Sequence, residues 1–167
     1  IQFQREIEQA SGDSLNLIDA HYNFGKYYAS EGDIDASIDQ FIPAFRIAQN
    51  ISDHAQVAKV GNFLANMYAA KGDFQESNRT YLVALKGAES TKNSGEIAKI
   101  SMNIASNFNF TGDYEEAIKY GLYALKIKES ANNLERICYH YIAMGNIFRE
   151  NSNTSKWEEY VLKAYRM

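Results

Sequence analysis

The sequence predicts an all-α chain of four helical hairpins in tandem, preceded by the tail of one further helix. Three observations carry that expectation. The pair Gly-Asp recurs as Gly32-Asp33, Gly72-Asp73 and Gly112-Asp113 at a constant interval of 40 residues, with Ser152-Asn153 a weaker form one step on. Small residues keep the same interval at Gly25, Ala65, Ala105 and Gly145, and aromatic ones at Tyr28, Tyr68, Phe108 and Phe148. A column of alanines (Ala44, Ala84, Ala124 and Ala164) completes the frame. Self-similarity at a fixed period marks a repeat array, whose units stack because none can bury its apolar face alone.

Residues 1–12 read as the tail of a preceding second helix, since Gln9 shares a column with Gln49, Glu89 and Glu129. The first repeat, 13–52, has helices predicted at 14–30 and 34–50, opened by the capping residues Asp13 and Asp33. Pro43 falls inside the second of these, where it removes the hydrogen bond to the Asp39 carbonyl and predicts a bend. In the second repeat, 53–92, the apolar face Val57, Gly61, Leu64, Ala65 and Tyr68 has helical spacing and predicts a helix over 54–70. Gly72 supplies the left-handed residue past its end, and Asp73 with Glu76 has capping-box spacing for a helix over 74–90. The third repeat, 93–132, repeats this with Asn93, Gly112, Asp113 and Glu116, giving helices over 94–110 and 114–130. The fourth, 133–167, gives helices over 134–150 and 154–167, with Asn133 and Asn153 as caps. Its last helix stops short of the register, so the chain reads as cut from a longer array. A glycine inside a helix costs about 1 kcal/mol against alanine, so the small column predicts helices in close contact there.

The pattern of a large apolar residue, Gly/Ala, two variable residues and an aromatic occurs as Phe24-Gly25-Lys26-Tyr27-Tyr28 and Leu64-Ala65-Asn66-Met67-Tyr68. It recurs as Ile104-Ala105-Ser106-Asn107-Phe108 and Met144-Gly145-Asn146-Ile147-Phe148. A later small-x3-aromatic element is present as Ser37 with Phe41 and Ser77 with Tyr81. It is replaced by Ala117 with Gly121 and by Trp157 with Val161 in the last two repeats. Across nearly the whole chain this resembles the tetratricopeptide repeat, with a period lengthened from about 34 residues. Gln49, Glu89 and Glu129 stand where the family has a terminal proline, which lets each helix run on by a turn. The resemblance implies a right-handed α-α superhelix whose first helices line a concave groove for a protein or peptide. Lengthened repeats of this kind resemble those of Bacteroidetes-type sensors and transcriptional regulators, of peptide-responsive Rap-type regulators, and of kinesin light chain.

Composition narrows the function classes. Hydrophobic residues at 46% and charged residues at 23% suit a folded chain rather than a disordered one. The net charge is −4 with no basic stripe, so nucleic acid is not an expected partner. No run of about 18 apolar residues is present, and no membrane contact is expected of this segment. Cys138, the sole cysteine, excludes an internal disulfide and a thiolate zinc cluster, and reads as a small core residue. The compartment stays open between cytoplasm and bacterial periplasm. His21, His54 and His140 lie in different repeats, and His21 falls in a packed column. Cys138 and His140 sit about 200° apart around one helix and cannot form a dyad. The acidic pairs Glu115-Glu116 and Glu158-Glu159 lie in first turns, where they suit the helix dipole. No catalytic constellation, metal-ligand set or cofactor loop is expected, and neither is enzymatic activity.

What remains is the outward face of the first helices. Lys26 represents it in repeat one, with Asp19 and Tyr22 beside it; Lys59, Asn62 and Asn66 form it in repeat two. Lys99, Asn103 and Ser106 continue it with Met102 and Asn109, and Tyr139 and Asn146 with Ile142 and Arg149. Amide side chains both donate and accept, which suits an extended peptide backbone. The family's clamp for a C-terminal carboxylate is matched at Asn66 and Asn103. Its cationic positions hold Asn62, Tyr139 and Ala143, so the likeness to that clamp is partial. The expected role is therefore a non-enzymatic peptide- or protein-binding scaffold, the sensory or regulatory region of a larger bacterial protein. The alternative is self-association into a homodimer through uncapped ends, as a structural spacer.

Overall fold

The structure, a computed structural model, describes residues 13–130 and 137–166. Among the described residues it holds eight helices and no strand. They are α1 (Ser14–Ser30), α2 (Ile34–Asn50), α3 (His54–Lys71), α4 (Phe74–Ser90), α5 (Ser94–Thr111), α6 (Tyr114–Ser130), α7 (Ile137–Glu150) and α8 (Thr154–Tyr165). Predicted and observed limits agree within a residue or two wherever both ends are described. The helix tail expected over 1–12, the cap at Asn133 and the start of its helix lie outside the described residues. The predicted final helix ends at Tyr165 rather than at 167.

Wherever the cap is described, the helix starts because a short polar side chain outcompetes water for an orphan amide. Asp33, Asp53, Asp73 and Asn93 accept from the backbone three residues on at 3.0 to 3.1 Å, and Asn153 does the same at 3.1 Å. Asp13 accepts instead from Leu15, at 2.9 Å. The reciprocal half of the capping box does not form. Glu76 turns forward to Arg79 and Glu116 to Lys119, because a charge-assisted bond one turn on is available.

Among the described residues, α1 to α5 and α7 stop because one residue enters the left-handed region, while α8 ends on Arg166 in right-handed backbone. Gly32, Gly72 and Gly112 have φ of 81°, 87° and 82°, and nothing within 4 Å would obstruct a side chain. Conformation, not space, selects glycine there. Ser52, Lys92 and Ser152 take the same role at φ of 55°, 54° and 56°. Ser152 follows the Gly-Asp register, whereas Ser52 and Lys92 are positions that sequence punctuation does not reveal.

The chain divides into two compact units at Thr91/Lys92. In the first, hairpins α1–α2 and α3–α4 pack around Ile18, Tyr22, Ile38, Phe41, Val57, Val60 and Leu64. Close approach within a hairpin is visible at Gly25, where a β-carbon would sit 2.7 Å from the Phe41 ring. The same contact is tied by a buried hydrogen bond from Ser37 Oγ to the Gly25 carbonyl at 2.8 Å. Forty residues on, Ser77 Oγ donates to the Ala65 carbonyl at 2.8 Å. Gly61 takes the edge of Phe45, 2.7 Å from where its β-carbon would stand.

The second unit packs hairpins α5–α6 and α7–α8 around Met102, Leu125, Ile137, Tyr141, Met144, Ile147 and Phe148. Here the small-x3-aromatic element is lost, and the structure shows what replaces it. At Gly121 a side chain would collide with the Met144 sulfur, so the thioether occupies the space. Gly145 departs from expectation. Its β-carbon would meet Val161 at 3.4 Å and Trp157 at 3.7 Å, ordinary contacts rather than a forced approach.

One column therefore holds two different glycines. Gly25→Ala is expected to lower stability by about 1–3 kcal/mol through overpacking on Phe41. Gly145→Ala is expected to raise it by about 0.5–1 kcal/mol through helix propensity and unfolded-state entropy. Urea denaturation of both variants checks the pair of signs; equal signs would mean the hairpins do not pack as described.

Candidate interaction surfaces

In the first unit the outward residues of α1 and α3 are tied to one another. The Lys59 ammonium lies 3.7 Å from the Asp19 carboxylate and 4.1 Å from the centre of the Tyr22 ring. Lys26 reaches the same ring at 5.8 Å. Tyr22 is itself buried and meets Phe63 edge to face at 5.3 Å. Lys59 is thus a bridge between two first helices as well as a surface cation.

Asn66 is half-buried, and its side-chain oxygen accepts the Tyr81 hydroxyl. Burial pushes the Tyr81 phenol well above its ordinary range, so the hydroxyl keeps its proton and its donor role. With the oxygen engaged, the amide NH2 of Asn66 is left to donate outward. Asn62 departs from its expected place on an open face, being only 4% exposed. In its column Tyr22 and Met102 are also buried, at 8% and 2%, while Ile142 is 50% exposed, so the neighbouring helices rather than the register decide burial there.

In the second unit the five residues expected from the sequence come together. A cavity of about 370 Å³ is lined by Glu96, Lys99, Met102, Asn103, Tyr139 and His140, among others. A second, of about 210 Å³, is lined by Ser106, Asn109, Tyr139, Ile142, Asn146 and Ile147, with Ala143. Tyr139 belongs to both and is 62% exposed. Each cavity holds an acceptor shielded from solvent that accepts no hydrogen bond from the protein, Glu96 Oε2 in one and Asn109 Oδ1 in the other. Lys99 donates to the other oxygen of Glu96 at 2.8 Å. The chemistry on offer is amide donors and acceptors around an aromatic ring and apolar patches, which suits binding.

Glu96 is the member that sequence reasoning missed. It stands one turn before Lys99 on the same face. His21 keeps its expected place, half-buried with Nδ1 2.9 Å from Gln40. Cys138 does not, for it is exposed. Its equivalents Ala58 and Ala98 are buried, and over Ala58 lies Gly87 near the end of α4. The described part of α8 ends at Tyr165, short of the matching turn.

No protein-family model matches the chain, and no curated protein matches it in sequence. Solved structures do match in fold. BtubC (BKLC) from P. vanneervenii superposes with a TM-score of 0.90 at 18% identity, over 98% of this chain and 69% of that one. Aspartyl phosphate phosphatase F from Bacillus subtilis gives 0.82 at 19%, over 91% of this chain and 40% of that one. A signal-transduction ATPase with a tetratricopeptide repeat sensor, from Pyrococcus horikoshii, gives 0.83 at 15%, over 97% and 26%. The fold is a tetratricopeptide-like helical repeat.

The Tyr81–Asn66 bond anchors the amide that faces outward in the first unit. Tyr81→Phe is expected to cost about 0.5–1.5 kcal/mol, the net value of one such bond. Equilibrium unfolding reads it, and an unchanged midpoint would show that Asn66 is not held from behind.

Proposed function

We propose that the chain is a non-catalytic scaffold that binds an extended polypeptide along the outward face of its first helices. The observation that carries this reading is the pair of cavities flanking Tyr139. They gather Lys99, Asn103, Ser106, Tyr139 and Asn146 on one surface of the second unit. An exposed aromatic between two small clefts is a fitting anchor, because buried aromatic contacts dominate binding energies. In the first unit Lys26, Lys59 and Asn66 extend the same kind of surface, and Asn62 supports it from inside.

In finer terms we read the chain as the sensory or regulatory region of a larger bacterial protein. The likeness to the Pyrococcus protein described as carrying a repeat sensor supports this, as does the fraction of that protein and of the Bacillus phosphatase that the chain spans.

Self-association is a second reading, favoured by one residue. Tyr165 is 88% exposed on the last described helix. A second copy could cover it. Sedimentation of the chain over a wide concentration range decides: concentration-dependent mass abolished by Tyr165→Lys supports the dimer, and an invariant monomer ends it.

For the leading reading, peptides selected against the chain from a random display library provide the ligand. Tyr139→Ala combined with Asn103→Ala is expected to weaken their binding at least about tenfold, roughly 1.4 kcal/mol. Asn66→Ala should have a smaller effect on binding and should lower the melting temperature by removing the acceptor of the Tyr81 hydroxyl, whereas the double variant should melt near the parent, as for surface substitutions. Unaltered affinity in the double variant would place the binding surface elsewhere.

A further inference from the structure

The first unit holds a cleft that none of the outward residues above lines. It lies between α2 and α4, with α3 at its base, and has a volume of about 320 Å³. Ile42, Leu64 and Val83 make it apolar, Tyr68 and Thr80 form one wall, and Arg46, Arg79 and Glu76 stand on its border.

The repeat frame explains why it is open. The residue twelve after the aromatic of each first helix is Tyr120 in the third repeat and Tyr160 in the fourth. Both rings stack on that aromatic: Phe108 with Tyr120 at 6.0 Å and 11° between planes, and Phe148 with Tyr160 at 5.3 Å and 23°. In the second repeat the same position is Thr80, and among the described residues Tyr68 makes no ring contact. A hydroxyethyl group has replaced a ring, and the cavity sits where the missing ring would stack. Aromatic pairs favour such offset geometries beyond simple area burial.

The border is unbalanced in charge. Arg79 is paired with Glu76. Arg46 is exposed and pairs with no carboxylate among the described residues. Glu76 and Asp73 act on the Tyr68 hydroxyl from the α4 side, and Arg46 on α2 is the unpaired charge on the border of a cleft with a vacant stacking place. Arginine favours carboxylates in a planar, two-point geometry.

We propose that this cleft is a second docking site, taking a peptide segment that inserts an aromatic side chain beside Tyr68 and sets a neighbouring carboxylate against Arg46. It is separate from the surface around Tyr139, so either can fail without the other.

The probe is the peptide acetyl-Asp-Phe-Asp-Gly-amide, titrated into the whole 15N-labelled chain and followed by amide chemical shifts. Saturating shifts are expected at Tyr68, Thr80 and Arg46. Acetyl-Asp-Ala-Asp-Gly-amide, which has no ring, should give none. Acetyl-Asn-Phe-Asn-Gly-amide, which has no carboxylate, should bind about two- to fivefold more weakly, the range for one exposed ion pair. Thr80→Tyr closes the cleft as Tyr160 does and should abolish binding without lowering the melting temperature. Arg46→Gln, on an exposed side chain, should reduce affinity for the acidic peptide to that for its neutral version and carries the test alone if Thr80→Tyr does not fold. Absence of shifts with the acidic peptide, shifts confined to other residues, or undiminished binding in a folded Thr80→Tyr variant would each overturn the proposal.

Discussion

Everything else in the molecule depends on where the chain is allowed to turn. A left-handed residue stands at 32, 52, 72, 92, 112 and 152, always a multiple of twenty apart. That spacing holds every helix from α1 to α6 to 17 or 18 residues. Equal helices keep the columns in step, so that equivalent positions of successive hairpins recur every forty residues. Three of the six turns use glycine without strain. The other three place Ser52, Lys92 and Ser152 in a region that L-residues enter at a cost of about 1–2 kcal/mol. That they do so shows how strongly packing on either side imposes the register.

Within this frame the hairpins are held by apolar burial and a few polar ties that recur. The hydroxyl of Ser37 on the Gly25 carbonyl and that of Ser77 on the Ala65 carbonyl are one device used twice. Surface charges recur with less constancy. The pairs Glu76–Arg79 and Glu116–Lys119 occupy one column, and in the fourth repeat it reads Lys156–Glu159, with the signs exchanged. Lys163 reaches Glu159 as well, and the two ammoniums together hold that carboxyl at a pKa of about 2. Exposed pairs of this kind add little stability, which is consistent with a column that tolerates reversal.

Most of the fold was legible in the sequence because small residues and caps recur in all four repeats and turn glycines in three of them. The turns at Ser52 and Lys92 were placed only through the caps that follow them, Asp53 and Asn93, since neither residue advertises a left-handed backbone. The candidate surface was legible in part. Helical spacing identifies a face, and for Lys99, Asn103, Ser106, Tyr139 and Asn146 that face is lined with cavities. Spacing does not tell how far a neighbouring helix covers the face, and so Asn62 was assigned to a surface when it is buried. Nor does it reveal tertiary partners such as Tyr81 for Asn66 or Tyr22 for Lys59. Cys138 was misplaced because burial at its column is supplied by the companion helix, which is an assembly property rather than a local one.

The three hairpin contacts at the small column are chemically unlike. Gly25 receives Phe41, Ala65 offers its carbonyl to the Ser77 hydroxyl, and Gly145 meets Trp157 and Val161 at ordinary distances. Exchanging helices between hairpins would set the methyl of Ala65 against the ring of Phe41, or open a void at Gly25. A chain made of near-copies is exposed during folding to pairing the wrong copies, within itself or with another molecule. Divergence at these contacts gives each helix one well-fitting mate, so the array carries its own proofreading against shuffled or intermolecular assembly.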